Sequence, residues 1–295
     1  MRLLSYRMPK NYNLFLFGDD HIGARLRHEK GFLKLCRMLH SEYNGCKKNY
    51  GIHFGDFIEA ITIDDPRYSD FDTLQASILA QMEAARRIYR PIADDMLLML
   101  DGNHPFKLHK IGKITATVCH NLGIDFGTYS CKASFHNKDG SLQFKGFFTH
   151  GSGSISSIAD DPERRYLNWR LALKRKLRDQ AGDCLLMAMG HTHKLIISKP
   201  TKVLYVTDNG EGIKDHFTEG KQAKYIHPDY RFYVNTGSFL KIYGDDLVED
   251  SSVPPEQSKL GSGYAERAMY APNVLGFAVA LIRGGKLRDV KKVIV

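Results

Sequence analysis

The chain reads as an α/β protein, and three features of its 295 residues carry that reading. Five short apolar runs each lead into a side chain of metal-binding type. They are NLFLFG before Asp19-Asp20-His21, YGIHFG before Asp56, MLLMLDG before Asn103-His104, KGFFT before His150, and LLMAMG before His191-Thr192-His193. A short apolar run bounded by glycine is the pattern of a buried strand. The anchors Asp19, Asp56, Asn103, His150 and His191 fall roughly 40 residues apart, room for a strand, a helix and a return. The gaps carry apolar residues at helical spacing.

The helices expected in those gaps are three. Residues 25–42 place Leu26, Phe32, Leu35, Met38 and Leu39 on one stripe, and 71–90 do the same with Leu74, Ile78, Met82, Ala85 and Ile88. A third, 163–179, follows the start signal Asp161-Pro162. After His193 the texture changes to strands broken by turns: LIISKP, KVLYVT, YRFYVNTGSF, NVLGFAVALI and KLRDVKKVIV. Polar insertions at about 208–228 and 245–267 interrupt them, and loops of that length are usually functional or disordered. The whole, 1–295, reads as one domain.

Bulk composition narrows the function classes. Hydrophobic content of 43% and charged content of 25% are those of a globular chain. No run approaches the roughly 18 apolar residues of a membrane span, and MRLLSYRMPKNYN lacks a signal-peptide core, so a cytoplasmic protein without membrane partners is expected. The five cysteines are odd in number and form no CxxC pair, which points to reduced, buried thiols rather than disulfides or a thiolate metal site. A net charge of +9 favours anionic partners such as a phosphoester substrate or nucleic acid.

Ligand-type residues at strand ends gather along one rim, because α/β sites form outside the carboxyl ends of the strands. Singly, Asp19 reads as a helix N-cap, Asp56 and Asn103 as turn residues, and His150 as a surface histidine. His191-x-His193 after an apolar strand is metal-like, and the dull readings must all hold at once to defeat the set.

Asp19-x-His21, Gly55-Asp56, Gly102-Asn103-His104, His150 and Gly190-His191-x-His193 resemble, in that order, the motifs of the calcineurin-like metallophosphoesterase family. Asn235-Thr236-Gly237-Ser238 is similar to the family's Asn-x-Gly-Ser turn. The resemblance implies two mixed β-sheets packed as a sandwich flanked by helices, in four layers. It also implies two divalent ions, manganese first, with iron, zinc, cobalt or nickel as alternatives that suit imidazole and carboxylate ligands. Asp56 would bridge them, with Asp19, His21 and His193 on the first ion and Asn103, His150 and His191 on the second. Such a pair stabilises entering and leaving oxygens of an in-line phosphoryl displacement and yields a hydroxide nucleophile near neutral pH. His104 resembles the family histidine that protonates the departing oxygen.

One departure is visible. The family usually places an acid after that histidine, and Pro105 stands here, so either another carboxylate, with Asp20 and Asp101 nearby in sequence, orients the imidazole or His104 lacks such a partner. Without such an acid His104 would be a weaker acid catalyst suited to good leaving groups.

The expected activity is metal-dependent phosphodiester hydrolysis on nucleic acid or nucleotide-like diesters. The alternatives are a phosphomonoesterase and a non-catalytic metal-binding scaffold. Asp101 before the Gly-Asn-His and Pro105 after it do not match the protein-phosphatase branch. Arg170, Lys174 and Arg178 form a basic helical stripe that reads as a solvated face or a phosphate-backbone contact, above apolar contacts from Leu167, Trp169, Leu171, Leu173 and Leu177. Phe217, Tyr225, Tyr264 and Tyr270 are aromatic candidates for base stacking in the polar loops; His53, close to Asp56, is the least certain of the remaining histidines, read as structural.

Overall fold

The computed structural model describes residues 1–69, 72–244 and 264–295, with Tyr264 by its backbone alone. In chain order the strands are β1 (Arg2–Arg7), β2 (Tyr12–Phe17), β3 (Asn49–His53), β4 (Met96–Met99), β5 (Asp125–Phe126), β6 (Ser130–His136) and β7 (Leu142–Thr149). They continue with β8 (Leu186–Met189), β9 (Leu195–Ser198), β10 (Leu204–Asp208), β11 (Ile213–Phe217), β12 (Phe232–Thr236), β13 (Gly276–Arg283) and β14 (Lys286–Ile294). Two six-stranded sheets result, ordered β1-β6-β7-β8-β12-β9 and β14-β13-β2-β3-β4-β5, and β10 and β11 pair separately. Each large sheet mixes parallel and antiparallel neighbours.

The period-two alternation of a strand sends successive side chains to opposite faces. In β2, Leu14 and Leu16 point between the sheets, where they meet Ile52, Leu98, Phe135, Phe144, Phe148, Leu186 and Ala188. Phe15 and Phe17 point outward, onto Phe32 and Leu35 of α1 (Glu29–Leu39) and Ala85 and Tyr89 of α2 (Ile78–Tyr89). Beyond α3 (Asn103–Phe106), α4 (Ile114–Leu122) adds Val118 to that outer layer. On the other sheet, Phe147, Met187, Met189 and Tyr233 receive Leu173 and Leu177 of α5 (Pro162–Leu177). The architecture is therefore α/β, two mixed sheets face to face with helices outside. Strands covered on both faces are apolar throughout, which is why β2 and β8 were legible as unbroken runs.

Helix starts differ from expectation where tertiary bonds compete. Residues 22–28 do not join α1, because Ala24 and Arg27 bridge to Thr73 and Leu240, and the Arg25 N–H donates to Asp72. α2 begins at Ile78, with Ser77 accepting from the Ala80 N–H at 3.4 Å; Leu74 is drawn off to the Gly23 carbonyl. α5 starts where the sequence indicated, with Asp161 accepting the Arg164 N–H at 2.7 Å ahead of Pro162. The insertion at 208–228 is partly ordered: β11 closes a hairpin on β10. Of the insertion at 245–267, residues 245–263 lie outside the described residues, and Tyr264–Arg267 is a short helix.

All five cysteines are free, and burial pushes the thiols of Cys36, Cys119, Cys131 and Cys184 up to about 12. Among the described residues no helix is long and apolar enough to cross a membrane.

Candidate metal centre

Parallel neighbours deliver the ligand candidates to one rim. β2, β3 and β4 run side by side and end just before Asp19, Asp56 and Asn103; β7 and β8 run side by side and end just before His150 and His191. Loop-to-loop bonds fix the rim: the Asp19 N–H donates to the Gly55 carbonyl, the His21 N–H to Asp56, and the Gly190 N–H to His150. The Asn235–Ser238 turn buttresses it. The Ser238 hydroxyl donates to the Asp19 carbonyl at 3.0 Å, and the Asn235 amide donates to Thr192 between the two histidines.

The backbone there is strained. Nine described non-glycine residues have positive φ, and five are ligand candidates: Asp19 (53°), His21 (51°), Asp56 (53°), His191 (70°) and His193 (54°). Each such residue costs of order 1–3 kcal/mol, and strain of this kind persists where the surrounding structure imposes it, commonly at functional sites. The sharp turns aim the side chains back over the strand ends. Glycine is required beside them: a Cβ on Gly102 would collide with the Asp56 carboxylate and backbone nitrogen.

All seven expected ligands converge. Asp19, His21 and His193 bring one ligand atom each within 4.8 Å of one another, and so do Asp56, His150 and His191. The Asn103 side-chain oxygen joins the second group, 2.9 Å from His150 Nε2 and 2.7 Å from His191 Nδ1. The groups interlock, because Asp19 Oδ2 accepts the His191 backbone N–H at 3.0 Å.

The outer ring nitrogens are engaged: His21 Nδ1 lies 2.6 Å from Glu59 Oε2, and His150 Nδ1 lies 2.7 Å from the Phe54 carbonyl. That leaves the inner nitrogens facing one another, His21 Nε2 and His193 Nε2 at 3.2 Å, His150 Nε2 and His191 Nδ1 at 3.2 Å. An outer N–H bonded to a carboxylate or carbonyl is the usual arrangement of a metal-ligating histidine.

The electrostatics call for positive charge at the centre. Burial opposes the charge on His21, but Glu59 outweighs it and raises the imidazole to about 9; burial likewise opposes His150, and Asp56 raises it to about 9. Burial would lift Asp19, Asp56 and Glu59, yet His193, His150 and His21 respectively hold their carboxyls below the usual range. Asp19 Oδ1 is buried and accepts no hydrogen bond, although His193 Nε2 is 3.4 Å away. An orphaned carboxylate oxygen, paired carboxylates and inward nitrogens form a donor set that fits divalent cations.

His104 stands beside this set. Its N–H donates to Asp56 Oδ1 at 2.9 Å, its Nδ1 binds the Glu59 carbonyl, and its Nε2 faces Arg67 Nη1 at 3.4 Å. Of the two acids near it in sequence, neither orients it. Asp20 is turned away to Arg27 (2.9 Å) and Tyr89 (3.3 Å), and Asp101 accepts from Thr115 at 2.5 Å. Glu59 takes that place, with Oε2 at 3.9 Å from His104 Nδ1 and also on His21. Burial pushes His104 below its ordinary value, with Asp56 and Glu59 opposing. Glu59 lies three residues after Asp56 on an irregular segment, where no periodicity signals it.

Replacing Glu59 by Gln should weaken divalent-ion affinity about 10–100-fold, the usual cost of losing a partner that orients a ligating histidine. Titration of the EDTA-stripped variant with Mn²⁺, followed calorimetrically, checks this; unchanged affinity would remove Glu59 from the role.

Other candidates fall elsewhere. His53 is a core residue, its Nδ1 accepting the Gly55 N–H, and burial drives it down to about 3. In the basic stripe, Lys174 pairs with Asp229 and Arg178 with Asp179, while Arg170 lines a groove of about 490 Å³ with Lys199 and Lys292. Leu167 and Leu171 are exposed rather than packed. Phe217 sits on the β10–β11 hairpin, Tyr225 lies against the Arg231 guanidinium, and the Tyr270 carbonyl accepts from Tyr243; none adjoins the rim ligands in those contacts. The Tyr264 side chain is outside the described residues.

No protein-family model matches the chain, and no curated protein matches it.

Proposed function

We propose that the chain is a phosphoester hydrolase of the calcineurin-like metallophosphoesterase type, with that family's four-layer fold, acting on phosphodiesters of nucleic acid or nucleotide-like substrates. The observation that carries the reading is the convergence of Asp19, His21, Asp56, Asn103, His150, His191 and His193 as two interlocked ligand groups at adjacent strand ends. A bound pair of divalent cations, with Mn²⁺ the first choice, would supply Lewis-acid charge neutralisation and an acidified water.

The chain's own groups supply the rest. Asp56 lies against His150 of the second group, Oδ2 being 3.2 Å from Nε2, and its backbone carbonyl accepts the N–H of His21 of the first, the position suited to tie the two groups together. His104 is held by Asp56 and Glu59 so that Nε2 points to the Arg67 side, where a proton can be delivered to a departing oxygen. Arg67, held to Asp65 at 2.8 Å, and Lys107, 3.6 Å from the same carboxylate, make that side cationic, as an anionic diester requires.

Hydrolysis of bis(p-nitrophenyl) phosphate tests the reading. Turnover is expected with Mn²⁺, disappears in EDTA and returns when Mn²⁺ is restored. No metal-dependent release of nitrophenol would leave the non-catalytic scaffold, and faster turnover of p-nitrophenyl phosphate would favour the monoesterase.

A further inference from the structure

Immediately beyond His104 the chain forms a surface that the hydrolytic groups do not explain. α3 runs without interruption into a 3-10 turn at Lys107–Lys110. In that geometry side chains three apart eclipse one another. Phe106 therefore lies over His109, with ring centroids 5.1 Å apart and planes at 18°, while Lys107 and Lys110 share the adjoining stripe. Phe106 is 51% exposed. The ring also meets Tyr129 edge-on at 6.2 Å, and Tyr129 meets the ring of His150 edge-on at 5.5 Å. An unbroken chain of aromatic contacts thus leads from a ligand candidate to an exposed ring. Lys110 and Lys113 are exposed and have no acidic partner among the described residues.

We infer that this segment is a binding track for single-stranded nucleic acid, with Phe106 stacking the base next to the scissile phosphate and Lys107, Lys110 and Lys113 following the backbone. An aromatic stripe beside a cationic stripe is the arrangement that binds unpaired strands: every base has a π-face, and lysines neutralise phosphates whatever the sequence. Duplex bases are already stacked on one another and cannot use a solvent-facing ring in this way. The strand's role as substrate rests on the hydrolase reading above; its binding does not.

The test is fluorescence anisotropy in EDTA, where no metal-dependent cleavage occurs, using a labelled oligothymidylate, an abasic strand of the same length and a duplex. Wild type should bind the oligothymidylate more tightly than the abasic strand. Phe106→Ala should lose about tenfold on the oligothymidylate and little on the abasic strand. Phe106→Leu, which keeps apolar contact with Tyr129, should behave like Ala, and Phe106→Trp should restore binding. Lys110→Ala with Lys113→Ala should weaken both strands alike and flatten the dependence on salt. Equal affinity of wild type for thymidylate and abasic strands, tighter binding of duplex, or equal losses on both strands in Phe106→Ala would each overturn the inference. Those results would leave Mn²⁺-dependent diester hydrolysis standing. Conversely, base-dependent binding without hydrolysis supports the track and removes only the hydrolase reading.

Discussion

Asp56→Asn should lower Mn²⁺-dependent hydrolysis of bis(p-nitrophenyl) phosphate by about 10³-fold or more, while the protein stays folded. The substitution preserves shape, so Oδ1 can go on accepting the His104 N–H. What it removes is charge. Asp56 is 2% exposed, and burial alone would raise its carboxyl; His150 and His104 nevertheless hold it well below the usual range, so the folded protein keeps an anion there. Asparagine would offer either a neutral oxygen or an N–H to His150 Nε2, 3.2 Å from Oδ2 in the native chain. Neither draws cations together as a carboxylate does. The second readout is thermal. A ligand binding only the folded state stabilises it by about 2.7 kcal/mol at a hundred times its Kd, so Mn²⁺ should raise the melting temperature of wild type and leave that of the variant nearly unchanged. Turnover within tenfold of wild type, with the Mn²⁺-induced shift intact, would refute the assignment of Asp56.

What the sequence disclosed about this site, and what it withheld, follows from how each residue is positioned. Asp19, Asp56, Asn103, His150 and His191 were legible because each follows a strand that is largely buried and mostly apolar towards its carboxyl end, as in FLF, GIHF, LLM, GFF and LMAM. Glu59 and Arg67 were not, because they approach His104 from irregular segments whose course is set by tertiary bonds such as the Glu59 N–H to the Ile22 carbonyl. Phe106 was hidden for a related reason, since its meaning depends on the 3-10 turn that stacks it on His109. β1 was missed because its pattern is largely exposed and its partner, β6, lies more than a hundred residues away. Sheet order, with β12 between β8 and β9, is likewise non-local. Helix ends moved where isolated bridges at Ala24 and Arg27 overrode local periodicity.

The other large effect is expected far from the rim, at an arginine inside the apolar run YRFYVNTG. Arg231→Met should destabilise the fold by about 4 kcal/mol, lowering the melting temperature by roughly 6 °C. Arg231 is 1% exposed, and all its hydrogen bonds go to backbone carbonyls. Nε and Nη2 donate to Ile226, Nη1 to Arg178 at 2.8 Å and Ala181 at 2.9 Å, and Nη2 also to Gly182 at 3.2 Å. Arg178 caps the carboxyl end of α5, where unpaired carbonyls carry the negative end of the helix dipole. One guanidinium therefore ties the end of α5, the turn into β8 and the loop before β12 together. Methionine replaces the aliphatic stem but stops short of the guanidinium and donates nothing, leaving carbonyls without partners at about 1–3 kcal/mol each when buried. Arg231→Lys keeps the charge without the planar fork and should recover part of the loss. β8 carries His191 and His193 on its far end, so saturating Mn²⁺ should offset some of the destabilisation by linkage. A methionine variant melting within 2 °C of wild type would show that water or backbone rearrangement can replace the guanidinium, and the junction would not depend on it.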